Sequence, residues 1–354
     1  MNWKFAVLVL MFVIPACASG DVAESPTSTS TASTDDPVVR WGFTGFPATL
    51  DDEGIGDAFT FVATEGNLVA HHFDDGIPYG ISGGEGIPAE LAAELSGRRA
   101  FNDANPHLAV YVATAITNQT RDGVPTEWRQ TAPPEGLSSF FDPEVRNGVL
   151  AWVDLLAATF EPRWLNVAVE IDMYSVSEPD DYDNLVSLYR ELYATIKERY
   201  PETTVFASFQ MELGDRERIA ELVDALDLIG ISTYPYIDGG GIPPEDFIDD
   251  LATLGLPMAI VETGYPAANM PTIAGPREFT PTDQVEYVEW LGRRAQNPGL
   301  EFIVWFLPSD ITKVIEATQG EVAERARLFE FLGLRDADGT NRPALDVWRT
   351  LASP

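Results

Sequence analysis

The chain has 354 residues, enough for one large domain or two ordinary ones, and its 45% apolar content is that of a globular protein. Its charge is the unusual feature: 56 acidic residues face 22 basic ones, a net charge of −34, and Lys4, Lys197 and Lys313 are the only lysines. Such a surface repels nucleic acid and anionic membrane, which excludes both as direct ligands, and it suits a salty medium where screening weakens self-repulsion.

In chain order, residues 1–16 read as an export segment. Lys4 gives a short positive start, and residues 5–13 form an apolar stretch too short to span a bilayer comfortably. Ile14-Pro15-Ala16-Cys17 resembles the bacterial lipobox, in which the cysteine is lipidated and becomes the new N-terminus. Ile14 and Pro15 depart from the usual pattern of that motif. The resemblance implies a lipid on Cys17, the only cysteine, as the one link to a membrane; the alternative is an ordinary secretory signal. Residues 17–38 are rich in Ser, Thr, Asp and Pro and nearly free of apolar side chains, so they read as a flexible tether.

From residue 39 to 354 short apolar runs alternate with amphipathic patterns. Strands are predicted near 40–46, 68–73, 108–115, 164–171, 203–210, 227–234, 257–262 and 301–307. Helices are predicted near 88–100, 142–160, 182–200, 214–226, 244–254, 281–296 and 321–332. In the clearest, Leu185, Leu188, Leu192 and Ile196 recur at helical spacing, and Asp142-Pro143 and Thr280-Pro281 mark helix starts. Eight strand–helix units predict an α/β fold of one domain, a (β/α)8 TIM barrel. The rival is a doubly wound open sheet, but no Gly-rich phosphate loop follows the first strand.

Two strands share one design. The fourth, Trp164-Leu165-Asn166-Val167-Ala168-Val169-Glu170, and the seventh, Met258-Ala259-Ile260-Val261-Glu262, each run apolar and end on a glutamate. A carboxylate there costs desolvation energy unless it is paired or used. Strict alternation sends Val167, Val169 and Ile171 toward the helices and Ala168 and Glu170 inward; in strand seven it sends Met258, Ile260 and Glu262 inward. Active sites of such barrels lie at the C-terminal strand ends, so the two carboxylates are expected to face one another across the mouth. That is the equipment for cleaving a glycosidic bond.

The pattern resembles clan A of the glycoside hydrolases, and most of all family 53, the endo-β-1,4-galactanases. The motifs are Asp227-Leu228-Ile229-Gly230-Ile231-Ser232-Thr233-Tyr234-Pro235-Tyr236 and Val261-Glu262-Thr263-Gly264-Tyr265-Pro266. The resemblance implies a retaining hydrolase without cofactor or metal, with Glu262 as nucleophile, Glu170 as acid/base and a polysaccharide or oligosaccharide as substrate. It also implies that Tyr234 hydrogen-bonds the nucleophile and that Trp305 floors the sugar site. Two features depart from it: Val169 stands where clan A usually has asparagine, and the early-strand arginine that the family tends to carry near the nucleophile is not evident. Val169 motivates a second reading, a barrel that binds glycan at the cell surface without turnover.

Further candidates surround this pair. His72 would face the pocket if Val69 and Phe73 face helices, either as a sugar contact or as a structural histidine. Asp74 and Asp75 can bind sugar hydroxyls or form a solvated turn. Trp128, in the long loop 118–141, offers an aromatic platform for a sugar ring or packs the loop down. Tyr174 and Tyr236, just past strands four and six, are further candidates for sugar contact, and Asp172 either tunes Glu170 or caps the next loop.

Overall fold

Runs dense in β-branched and aromatic residues, each too short to be stable alone, find partners here by closing on one another. A computed structural model describes residues 39–297 and 299–353; the export segment, Cys17 and the tether lie outside the described residues. The barrel strands are β1 (Arg40–Thr44), β2 (Leu68–Phe73), β3 (Ala109–Thr114), β4 (Trp164–Ala168), β5 (Thr204–Gln210), β6 (Ile229–Thr233), β7 (Met258–Thr263) and β10 (Leu300–Trp305). They pair in parallel in the closed order β1-β10-β7-β6-β5-β4-β3-β2. A small antiparallel hairpin, β8 (Met270–Thr272) with β9 (Gly275–Arg277), lies between β7 and the last barrel strand. The fold is a single-domain (β/α)8 barrel.

The helices are α1 (Asp52–Glu65), α2 (Ala89–Ala104), α3 (Pro143–Phe160), α4 (Ile171–Ser177), α5 (Tyr182–Arg199), α6 (Arg218–Leu222), α7 (Pro281–Arg294), α8 (Thr312–Ala317), α9 (Glu321–Ala326) and α10 (Pro343–Ala352). Their starts follow the chemistry read from sequence. Asp142 caps α3 by accepting from the Glu144 N–H, with Pro143 at the first turn. Thr280 and Asp283 bond reciprocally at the start of α7. Leu185, Leu188, Leu192 and Ile196 form the buried stripe of α5.

One predicted helix is absent, and α1, α4, α8 and α10 form where none was predicted. The helix expected over 244–254 is a series of turns ending in a 3-10 segment, Leu251–Leu254. Its bonds run three residues back, as from the Phe247 N–H to the Pro244 carbonyl, because a stretch between a Pro pair and Gly255 is too short to offset helix nucleation. Conversely α1 was not foreseen, since Gly54, Gly56 and a Phe59-Thr60-Phe61-Val62 run argue against helix. Burial of Ile55, Ala58, Phe61 and Val62 overrides that local preference.

The barrel interior is a packed core. Tyr111, Trp164, Phe206 and Phe302 fill it, with ring centroids 4.7 to 6.5 Å apart. Glycine is required where strands β1 and β2 meet: a Cβ on Gly42 would lie 2.2 Å from the Leu68 carbonyl oxygen. Gly42→Ala is therefore expected to destabilise the fold by about 1–3 kcal/mol, since the obstacle is backbone. Gly56→Ala, on the exposed side of α1 with nothing within 4 Å, should stabilise by about 0.5–1 kcal/mol. Urea unfolding of the two variants checks the contrast.

Candidate active site

The site is assembled at the C-terminal ends of the strands, and two local irregularities aim its carboxylates. On β4 the register against β5 steps from Asn166–Phe206 to Ala168–Ala207, a bulge at Val167. Asn166 stabilises the bulge: its Oδ1 accepts from the Ala168 N–H, and its Nδ2 donates to Ser208 Oγ at 2.9 Å and to the Tyr111 hydroxyl. Glu170 then adopts a left-handed backbone, φ 51°, and its N–H donates to the same Ser208 Oγ at 3.0 Å. Ser208 thus fixes the chain on both sides of the turn.

On β7 the register against β6 steps from Ile231–Ile260 to Ser232–Glu262, leaving Val261 in the bulge. This corrects the strict alternation predicted from sequence. Ala259 pairs with Gly230 in the barrel interior, while Met258 and Ile260 share the opposite face with Ile229 and Ile231. Ala168, likewise, pairs with Ala207, one step off inward-facing Phe206 and Ser208. Glu170 and Glu262 reach the mouth because the bulges reset the phase.

Both carboxylates are buried, Glu170 at 0% and Glu262 at 3% exposure, so their partners decide their state. Glu170 Oε1 accepts from Ser232 Oγ at 2.7 Å, and its Oε2 lies 3.5 Å from Arg121 Nε. Glu262 Oε2 accepts from the Tyr234 hydroxyl at 3.3 Å, and its Oε1 lies 3.2 Å from His72 Nδ1. Since Ser232 is the register partner of Glu262, the two glutamates flank one strand end. Arg121 also forks onto Asp74, at 3.0 and 2.8 Å, and His72 Nε2 lies 3.9 Å from Asp74. One chain of charge therefore runs from Glu170 through Arg121, Asp74 and His72 to Glu262.

Burial raises the pKa of Glu170, opposed by Arg121 and the Ser232 bond. Burial likewise raises Glu262; His72 opposes this and the charge of Glu170 adds to it. For His72 burial disfavours the imidazolium, but Glu262 and Asp74 outweigh it and its pKa rises. Glu212, just past β5, is raised to about 7 by burial against its bonds from Thr233, the Tyr234 N–H and Gln210. It braces the backbone of Tyr234. Asp172 is fully buried, and its Oδ1 accepts from the Gln210 N–H.

A cleft of roughly 600 Å³, counting space open to solvent, is lined by Thr44, Phe46, His72, Asp75 and Trp128 among others, while Glu170 and Glu262 lie outside its lining. Trp128 is half-buried, with the Arg129 guanidinium stacked 4.4 Å over its ring. Phe306, packed 4.9 Å from Phe46 and 5.8 Å from His72, stands over the mouth.

Three candidates lie elsewhere. Trp305 pairs with Phe43 and Thr263 on the helix-facing side and packs on Tyr287 and Trp348, with its indole N–H on the Leu332 carbonyl; it is not a sugar floor. Its neighbour Phe306 takes that side of the mouth. Tyr174 donates to Asp181 and packs edge-on against Phe140, within α4's own packing. Tyr236 donates to the Leu328 carbonyl and backs the ring of Tyr234. Asp74 is held by Arg121 and is not a solvated turn. His71 faces outward, its Nε2 paired with Asn102. Arg121 went unnoticed because it comes from the loop after β3, where no periodicity marks a side chain's direction; Phe306 was legible in the alternation of β10.

No protein-family model matches the sequence, and no curated protein matches it. Solved structures do. An exo-β-1,4-mannosidase from Opitutaceae bacterium strain TAV5 superposes with TM-score 0.63 at 14% identity, over 89% of this chain and 59% of that one. Xylanase 10B from Thermotoga maritima gives 0.60 at 13% identity, over 89% of this chain and 95% of the xylanase. A β-glucuronidase from Bacteroides uniformis gives 0.59 at 14% identity, over 90% of this chain and 35% of that one. At these identities the likeness is one of fold. This chain spans little more than half of the mannosidase.

The Glu212 carboxyl supplies a test of the site's electrostatics. Burial pushes its pKa to about 7 in the folded chain from an ordinary 4.5, so the stability it contributes is present below pH 4.5 and is lost as pH rises through 7. Glu212→Gln should flatten the fall in melting temperature over that window while leaving stability at pH 4 nearly unchanged. Melting curves of both proteins from pH 4 to 8 provide the measurement.

Proposed function

We propose that the chain is an exported, retaining glycoside hydrolase acting on a β-linked polysaccharide or oligosaccharide. The observation that carries the reading is the pair Glu170 and Glu262, brought by two bulged strands to one end of the barrel and bound by Ser232 and Tyr234 at the end of β6. The fold shared with a mannosidase, a xylanase and a glucuronidase supports it. So do the family 53-like motifs around Tyr234 and Glu262. The lipobox-like Cys17 supports anchoring to the cell envelope, with glycan met outside the cell.

The chemistry follows from the partners. Two buried carboxyls side by side do not ionise together, so near neutral pH the pair holds one proton. His72 touches Glu262 directly, and the Tyr234 hydroxyl donates to it, which favours the anion there. Burial raises Glu262 to about 7 and Glu170 in the same direction, with Arg121 opposing the rise at Glu170, so it is the family 53-like motifs that assign the donated proton to Glu170. Glu170 then protonates the glycosidic oxygen while Glu262 attacks the anomeric carbon, giving a glycosyl ester on Glu262. Glu170, now a base, takes a proton from the water that cleaves this ester, and configuration is retained. His72 and Trp128 contact the sugar from the cleft. Because the Phe46 and Phe306 rings pack over His72 and both carboxylates are buried, a sugar enters only as the Phe46 loop swings aside.

A second reading, glycan binding without turnover, is favoured by the complete burial of Glu170 and by Val169, a core residue at 1% exposure where clan A places asparagine. A panel of β-linked glycans separates the two. Under hydrolysis, wild type cleaves at least one member and Glu262→Ala loses about 10³-fold or more in kcat. Equal cleavage by both proteins refutes the assignment of Glu262, and tight binding without cleavage by wild type establishes the second reading.

A further inference from the structure

The loop after β3 carries a feature that binding a sugar does not explain. Arg121 is 1% exposed, has a left-handed backbone at φ 55°, and comes from no strand. A non-glycine residue in that region and a guanidinium out of water each cost free energy, so the surroundings must hold both in place. They do so from three sides. Asp74 takes the two terminal nitrogens, the Asn118 carbonyl accepts from one of them, and Ser177 Oγ donates to the Arg121 carbonyl. This leaves Nε, which makes no hydrogen bond, 3.5 Å from Glu170 Oε2, which also makes none.

We propose that Arg121 is the positioning residue of Glu170, the loop-borne group that holds the acid's Oε2 while Ser232 holds its Oε1. The proposal rests on the hydrolase reading above. Ser232 holds only Oε1, which leaves the carboxyl free to rotate about that bond. Arg121 on the other oxygen removes the freedom, and a planar fork already clamped by Asp74 cannot follow the carboxyl if it turns. A small closure of Nε onto Oε2 completes the hydrogen bond both atoms lack, and it does so as Glu170 becomes an anion after giving up its proton. The same loop places Trp128 in the cleft, so a sugar pressing on Trp128 acts on the segment that orients the acid.

The groups facing Glu170 are Arg121 from the β3 loop, His72 from β2 and Asp74 just past it, Glu262 from β7, Ser232 from β6 and Tyr234 just past it, and Asp172 from α4. Of these only Arg121 is a permanent cation. Removing it strips the counter-charge and exposes Glu170 to Asp74, so the carboxyl should titrate later.

The experiment follows the Glu170 carboxyl by carbon-13 NMR in the full chain, assigned by its loss in Glu170→Gln. In Arg121→Gln its midpoint is expected to rise by about half a pH unit or more, and Arg121→Lys should restore most of the shift. On aryl β-glycosides, Arg121→Gln should lower kcat at least about tenfold for a poor leaving group and little for a dinitrophenyl one, with KM unchanged. An unmoved Glu170 midpoint in Arg121→Gln overturns the proposal and leaves Arg121 as a clamp on Asp74. If Arg121→Gln fails to fold, the wild type decides: the Arg121 Nε–H signal should track the Glu170 midpoint and lose that step in Glu170→Gln, and a signal indifferent to Glu170 overturns the proposal. Both NMR readings need no turnover, so a chain that cleaves nothing refutes the hydrolase reading without deciding this one.

Discussion

Two carboxylates buried at one end of a closed barrel are the constraint on which the rest of the site depends. Alone, each would either take up a proton or unfold its surroundings. The structure resolves this with an alternating chain of charge, Glu170, Arg121, Asp74, His72 and Glu262, in which each acid touches a base. That chain explains why a loop arginine is buried, why Asp74 is not free for a ligand, and why His72 faces inward. It also explains why Ser232 near the end of β6 and Tyr234 just past it carry hydroxyls, which serve the two acids.

The whole-chain charge bears on this differently. Many arginines pair with acids at the surface, as Arg190 does with Asp224 and Arg293 with Glu245, where screening leaves little net stabilisation. The pairs that matter energetically are the buried ones, where removing one partner strands the other. The net charge of −34 belongs to the whole chain, while the proposed function turns on a handful of compensated charges under the surface.

The barrel was legible in the sequence because its strands are short apolar runs between capped helices, and those signals are local. Glu170 and Glu262 were legible for the same reason, a charge at the end of an apolar run. Their directions were reached through a flawed rule: strict alternation misplaces Ile260 and Ala259, and the bulge at Val261 restores Glu262. A bulge is a property of two strands together, so no reading of one strand reveals it. Trp305 was assigned to the mouth although Phe306, one residue on, is the ring that stands there. Arg121 lay beyond reach because its role is defined by Asp74 and Glu170, distant in sequence and joined only by the fold.

The proposed hydrolase turns on Glu262 as an ionised nucleophile opposite a proton-donating Glu170. The most direct measurement is mass spectrometry of the full chain after exposure to activated 2-deoxy-2-fluoro glycosides of several β-configured sugars, followed by mapping of the labelled peptide. A single sugar adduct on Glu262, formed in wild type and released slowly in water, is the predicted result. An adduct on Glu170 or elsewhere would contradict the account, as would turnover of a β-glycan to a product of inverted configuration.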